Sequence, residues 1–576
     1  RVKCDEQQPS CHRCVKIGVS CPGYGQRIKW STKHERRPPQ SSSATKSYIG
    51  VSNPSPLQPG ADNADYVSTY TSSMRIAKKA CERSSPVAHT RAVSLGDTST
   101  PMRKSVGNET FTNLYTPTDR QSLMLNHYFV VICQVISNFD SAANPFRNEV
   151  SSMLDTSPLL YHCILSLSAA HLHQNDTGQA NISLQYQTEA ISNLSKQLAE
   201  TSVVKSKEPD TTRVESSSTQ ISKSLTVKDD VLLGAILLGI TSAWHDASST
   251  GLPHLYGTRQ LFKGWTSSNN LDHPDRRSDM TPVQTFLSSS MMYWEAMSSF
   301  IHDQNLDVLD YLEIFDQSSE ASSVTPCPWT GVGSSVFLHL AKAGTLVRNK
   351  RALRSLDFVK NGEFHRQALH IDLLNEASSL EQAILSYELP VMYRVQDVGD
   401  PRTPPDHLLV IARCYQLSTL LEIYRAFPEL ATSNIVEDSG RLRKSGVEGS
   451  TQPDVVLQLA LGILKRLRGI PASSGTVSTQ TLPLLIAGSA LRQSFASGAI
   501  GSQFPNTDML HFREFVRTRV LHLYRTVGLR IIKHVAIILN EVWSLMDTMD
   551  SEGACIQREI HWIDVMCEMK LETMLG

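Results

Sequence analysis

The stretch that decides the fold of the amino-terminal part is RVKCDEQQPSCHRCVKIGVSCPGYGQRIKW, residues 1–30. Four of the eleven cysteines of the chain lie here, separated by six, two and six residues: Cys4, Cys11, Cys14 and Cys21. No secretory signal is visible, so this crowding indicates thiolate ligands of a metal rather than disulfides. Zinc is the expected ion, because structural zinc takes four ligands in a tetrahedron and Cys11 and Cys14 can bind one ion from a tight turn.

Basic residues surround these cysteines. Positions 1–37 hold nine lysines and arginines against three acidic residues. The nine are Arg1, Lys3, Arg13, Lys16, Arg27, Lys29, Lys33, Arg36 and Arg37. Such an excess is the electrostatic footprint of a protein that docks on phosphates. Those from Arg27 onward also fit a nuclear import signal, and the two interpretations are compatible.

The stretch resembles the fungal binuclear zinc cluster, in which six cysteines hold two zinc ions and two thiolates bridge both metals. The third to sixth cysteines of that pattern match Cys4, Cys11, Cys14 and Cys21, and Pro9 and Gly18 also sit where the family places them. The first two cysteines are absent from a sequence that opens on Arg1. We expect an amino-terminal truncation, with the missing ligands at the seventh and fourth residues upstream.

The resemblance implies a role for each residue. Cys11 would bridge the two ions, Cys4 would bind the first zinc, and Cys14 and Cys21 the second. Double-stranded DNA would be the partner, with Arg1, Lys3, Arg13 and Lys16 as its contacts. Arg1 falls where the family reads a base, and a cation there can donate to guanine O6 and N7. The alternative that remains open is one mononuclear zinc site with no role in DNA binding.

Residues 31–110 are rich in serine, threonine, proline, asparagine and glycine. Too little apolar content is present to offset the entropy of ordering, so we expect a disordered linker. Family members often dimerise through a coiled coil at this point, but no heptads are visible and the prolines oppose one. A homodimer is therefore left open.

The remainder of the 576 residues is predicted to form a helical body. The chain is 40% apolar and 19% charged with a net charge of −1, enough apolar material for a large core. The run 231–240 is too short to span a membrane and predicts a buried helix, and no membrane partner is expected. Ser157 and Pro158 predict a helix start. Dense apolar residues over 123–136 predict a helix that is buried on most sides, and the one-face apolar stripes 373–387 and 456–467 predict further helices.

The expected architecture is all-α: a partial zinc-cluster module at 1–30, the linker, and a large multi-helix regulatory domain over 119–576. Polar loop insertions are expected near 206–224, 267–281 and 433–452. Several segments resemble the fungal specific transcription factor domain, which implies a helical regulatory domain. They are 127–129, 144–147, 168–172, 254–259, 293–296, 328–331 and 561–566, with the sequences HYF, NPFR, SAAHL, HLYGTR, YWEA, PWTG and HWIDVM.

No enzyme motif is visible, so the chain is not expected to be an enzyme. His171 and His173 are expected as polar positions in or beside the core. Most dispersed cysteines are expected to be buried thiols, with a redox role for one left open. The late basic positions, Arg513, Arg517, Arg519, Arg525 and Arg530, favour a solvated face over a second nucleic-acid site.

These observations predict a nuclear, zinc-dependent, sequence-specific regulator of RNA polymerase II transcription that reads CGG-like triplets. The transcription machinery or co-regulators would be its protein partners. The alternative is a co-regulator or scaffold that does not bind DNA and acts through the helical body.

Overall fold

The computed structural model describes residues 119–174, 180–203, 226–316, 323–355, 363–431, 434–436, 442–444, 452–492, 506–551 and 559–574. All of these ranges belong to the helical body. The predicted zinc module 1–30, the linker 31–110 and the loop insertion 206–224 lie outside the described residues.

The body is built of α-helices, which confirms the all-α class. They are α1 Arg120–His127, α2 Cys133–Val135, α3 Glu149–Leu154, α4 Pro158–Leu172, α5 Ala180–Val203, α6 Asp229–Ile240, α7 Ser242–His245, α8 Leu252–Ser268, α9 Pro274–Ser278, α10 Pro282–Ser298, α11 Asp310–Glu313, α12 Ser334–Ser355, α13 Glu363–Ser386, α14 Pro405–Ala426, α15 Pro428–Ala431, α16 Gln452–Gly469, α17 Thr481–Gly488, α18 Asn506–Val527, α19 Ile531–Ser551 and α20 Trp562–Glu568. Short 3-10 turns span Leu306–Leu309, Met392–Arg394 and Gly475–Thr479.

The central helix is α6, and all ten residues of its apolar run, 231–240, are buried as predicted. It packs against α4, α8 and α10. Gly239 permits the close approach of α10, because a Cβ atom at this position would overlap the indole ring of Trp294. From α10 the core continues outward, with α12, α14 and α16 packed in succession.

Local sequence signals explain where several helices begin and which face they bury. Ser157 caps α4 by accepting a hydrogen bond from the Leu160 amide at 3.4 Å, and Pro158 follows at the first turn. The stripe on α13 buries Ala377 and Ile384. On α16 the stripe buries its three last members: Leu459, Ile463 and Leu467. These three predictions are confirmed.

The first helix departs from its prediction. A π-helical turn, Tyr128–Ile132, lies between α1 and α2. Leu123 is 40% exposed and Val130 is 56% exposed, so this segment is buried on fewer sides than predicted. Tyr128 is fixed within the core, where its hydroxyl donates to the Phe146 carbonyl at 2.7 Å.

Two predicted loops contain more structure than expected. Residues 267–281 include the end of α8 and the one-turn helix α9. Residues 433–452 include an antiparallel pair, β1 Asn434–Val436 with β2 Leu442–Lys444, in which Ile435 lies opposite Arg443. The pair brings β-branched residues into extended backbone, which they favour. No helix among the described residues is both long and apolar enough to cross a membrane.

Candidate functional site

The residues predicted to bind zinc and DNA all lie outside the described residues: Cys4, Cys11, Cys14, Cys21, Arg1, Lys3, Arg13 and Lys16. The chemistry of the donor set can still be compared with zinc. Four thiolates complete one tetrahedral zinc site. Two ions that share six thiolates need two more donors, so these cysteines suit zinc in their chemistry and would supply four of the six ligands.

A second metal site in the helical body would need a cluster of ligating side chains. Among the described residues, no group of three or more histidines, cysteines and carboxylates is arranged to hold an ion. Cys133, Cys163, Cys327 and Cys414 are free, buried thiols, as predicted for most of the dispersed cysteines. Burial raises the pKa of Cys133 to about 12, and burial likewise raises the pKa of Cys414 to about 12. Both thiols are therefore protonated at neutral pH.

His171 connects three parts of the fold. Its Nε2 lies 2.8 Å from the Val527 carbonyl, which can only accept, so this nitrogen carries the proton. Its Nδ1 then accepts from Nε2 of His127, 3.0 Å away. Burial, together with the neighbouring His171, lowers the pKa of His127 to about 4. The pair thus joins α1 and α4 to the end of α18 in the neutral state, which suits a structural role.

A buried ion pair joins α8 to α10. Arg259 donates from Nε and Nη2 to the two carboxylate oxygens of Glu295, each at 2.6 Å. The Tyr311 hydroxyl donates to the same carboxylate at 2.6 Å, and Gln304 accepts from Arg259 at 2.6 Å. Glu295 has no solvent exposure. This bidentate, buried ion pair joins two motif segments, 254–259 and 293–296.

A second buried cluster anchors the last helix. Trp562 Nε1 donates to Glu422 Oε1 at 2.9 Å, and Glu422 Oε2 lies 3.0 Å from Nε2 of His561. Burial and the nearby Arg425 lower the pKa of His561 to about 4. Burial alone would raise the pKa of Glu422, but His561 and Arg425 outweigh it and the net shift is downward. The carboxylate therefore stays ionised and holds the 561–566 segment against α14.

The sequence indicates that these carboxylates are buried, but it does not identify their partners. Glu295 stands between Trp294 and Ala296, and Glu422 lies within an apolar run of α14. A carboxylate inside such a run signals a buried ion pair, since unpaired charges are rarely buried. The partner itself is not visible, because Arg259 is 36 positions from Glu295.

The prediction of a solvated face for the late arginines was wrong at two positions. Arg513 is 2% exposed and pairs with Asp547, with Nη1 to Oδ2 at 2.7 Å. Arg519 is 7% exposed and donates to the carbonyls of Leu467 and Ile470 and to Gln480. Arg513 thus pairs with a partly exposed carboxylate, and Arg519 satisfies carbonyls at the end of α16. Arg517, Arg525 and Arg530 are exposed, as predicted.

A small cavity of about 40 Å³ lies where α2, α7, α10 and the α18–α19 turn meet. Its walls include Val135, Trp244, Tyr293, Trp329 and Ser478. The Ser478 hydroxyl is buried without a hydrogen-bond partner. Such a volume has room for a few ordered waters and is far smaller than a typical cofactor pocket.

Comparison with known proteins agrees with both resemblances. The family model described as the fungal Zn(2)-Cys(6) binuclear cluster domain matches residues 1–31. The family model described as the fungal specific transcription factor domain matches residues 122–576. No curated protein and no solved structure gives a significant match. Because the second match spans well over half of the chain, the protein belongs to the fungal specific transcription factor domain family and, with its zinc-cluster match, is a DNA-binding transcription regulator rather than an enzyme.

Proposed function

We propose that this protein is a nuclear, zinc-dependent regulator of RNA polymerase II transcription that reads CGG-like triplets in the major groove. The observation that carries the proposal is the cysteine spacing within 1–31, set among basic residues and matched by the zinc-cluster family. Arg1 would contact guanine, and Lys3, Arg13 and Lys16 would contribute phosphate contacts that give a steep salt dependence. The helical body would pass a signal from a co-regulator to transcription.

The metal content of the chain tests the ligand assignment. Six thiolates hold two zinc ions in the complete cluster, whereas residues 1–31 contain four cysteines. We expect the chain 1–576 to bind zinc poorly, with at most about one ion per molecule. A protein that carries two further cysteines, at the seventh and fourth residues upstream of Arg1, should bind two ions and gain affinity for DNA.

Two outcomes would count against this assignment. Two zinc ions per molecule of the chain 1–576 would contradict the shared ligand set. If the gene has no such upstream cysteines, and the protein shows no preference among duplexes, the alternative function would be favoured. In that case the protein would be a co-regulator or scaffold acting through its helical body.

A further inference from the structure

Two segments of the helical body carry positive charge without any negative charge. Residues 455–507 contain Lys465, Arg466, Arg468 and Arg492 but no aspartate or glutamate. Residues 515–540 contain five basic residues and no acidic ones: Arg517, Arg519, Arg525, Arg530 and Lys533. The whole chain has a net charge of −1, so this concentration is local.

The fold brings these two segments together. Nη2 of Arg519, on α18, donates to the carbonyls of Leu467 at 3.3 Å and Ile470 at 2.9 Å, at the end of α16. One turn further along α18, Nε2 of His522 lies 2.9 Å from the Ala472 carbonyl. The carboxyl end of α16 therefore lies beside the second half of α18.

The start of α19 lies against the same helix, α18. The ammonium group of Lys533 lies 4.7 Å from the centre of the Tyr524 ring. Tyr524 immediately precedes Arg525, and Arg530 lies in the turn between the two helices. We call the five exposed cations at the ends of α16 and α18, in the following turn and at the start of α19 the basic end: they are Lys465, Arg468, Arg525, Arg530 and Lys533.

The members of the basic end differ from their basic neighbours in having no ion-pair partner among the described residues. Arg492 is paired with Asp550, and Arg519 is buried against carbonyls. Arg517 is 3.8 Å from Glu514. By contrast, all five members of the basic end are exposed, and none forms an ion pair with another of the described residues.

We propose that the basic end is a second DNA-contacting surface, which binds backbone phosphates without reading sequence. Some of this charge also complements the carboxyl ends of α16 and α18, where Arg468 and Arg525 lie in the last turns. Two helix ends carry only about half a negative charge each, so five cations leave a clear excess. DNA is the favoured polyanion because this inference rests on DNA binding by the same protein, and phosphates attract such a surface regardless of base sequence.

The salt dependence of DNA binding tests the proposal. The triple variant Arg468→Gln, Arg525→Gln, Arg530→Gln would be compared with Lys196→Gln, Lys228→Gln, Arg276→Gln, which removes three exposed cations elsewhere in the full chain. Affinity for a random duplex would be measured by anisotropy across a range of salt concentrations. We expect the basic-end variant to lower the slope of log K against log[salt] by about two to three, and the control to leave it unchanged. Thermal unfolding would confirm that both variants fold.

The same measurement separates this surface from the zinc cluster. In the protein that carries the two upstream cysteines, the basic-end variant should lose affinity equally on CGG-containing and random duplexes. In the same protein, Cys11→Ser should abolish any preference between the duplexes and retain the basic-end contribution to the slope. Equal slopes for the basic-end variant and the control would overturn the proposal. So would tight binding of polyglutamate that depends on the basic end, if the salt slope on DNA is unaffected, because the partner would then be an acidic protein segment.

Discussion

Glu295 is a carboxylate with no solvent exposure, and the fold supplies it with three donated hydrogen bonds from two side chains. A buried charge of this kind is tolerated only while its partners remain in place. Glu295 therefore contributes to stability only together with its partner, Arg259. If one partner of the Arg259–Glu295 pair is removed, the other remains charged and buried without a counter-ion.

Removing one charge of the Arg259–Glu295 pair should destabilise the fold. Glu295→Gln should lower the free energy of unfolding by about 3–5 kcal/mol, because the guanidinium of Arg259 loses its counter-ion while remaining buried. The double variant Arg259→Met, Glu295→Leu should recover much of that loss, since no charge is left unpaired. Chemical denaturation of the three proteins measures both effects. A single variant as stable as the parent would show that the pair is not desolvated in solution.

Two buried histidines, His245 and His254, should make the stability of the fold depend on pH. Burial lowers the pKa of His245 from 6.5 to about 4, and that of His254 likewise to about 4. The unfolded chain then binds protons that the folded chain does not, so stability is present above pH 6.5 and is lost as the pH falls toward 4. Each such histidine adds about 1.4 kcal/mol per pH unit to the slope within that window.

The variant His245→Gln measures the contribution of His245 to this pH dependence. It should flatten the pH dependence of the unfolding free energy between pH 6.5 and 4 by about one proton, whatever its effect on stability at neutral pH. Denaturation at a series of pH values provides the comparison. An unchanged slope would mean that His245 titrates normally in the folded protein.

At the scale of the element, the fit between α6 and α10 depends on a missing side chain. Gly239→Ala should cost about 1–3 kcal/mol of stability, because the new methyl group overlaps Trp294 in a packed core. Gly462→Ala on α16 is the matched control, since only the end of the Arg466 side chain lies near its Cβ position. The control should be neutral or stabilise by about 0.5–1 kcal/mol. Thermal melts of both variants measure these effects. Equal melting temperatures for the two variants would contradict a tight contact between α6 and α10.

Helices with strong local signals could be predicted from the sequence. The Ser157 cap, the apolar run 231–240 and the stripes on α13 and α16 each depend on residues within a few turns of one another. The π turn at 128–132 could not be predicted, because a 3.6-residue period assumes an uninterrupted helix. The pairing of β1 with β2 likewise depends on contacts that no single segment reveals.

At the scale of the whole molecule, the sequence indicated the class of site better than the packing around it. The cysteine spacing and the ordered motif segments pointed to both families that the comparisons found. The pairing of Arg259 with Glu295 and the burial of Arg513 and Arg519 arise from contacts between distant helices, so periodicity could not predict them. The basic end likewise exists only after α16, α18 and α19 are assembled.

Selection of duplexes from a random pool by the zinc-loaded, intact gene product tests the central claim most directly. We predict enrichment of CGG-like triplets at moderate ionic strength, with loss of that enrichment when a chelator removes the zinc. The helical body should stay folded through the same treatment, because the proposal places the zinc ligands within residues 1–31. A zinc-loaded protein that retains duplexes without any sequence preference would contradict the assignment of this chain as a reader of DNA sequence.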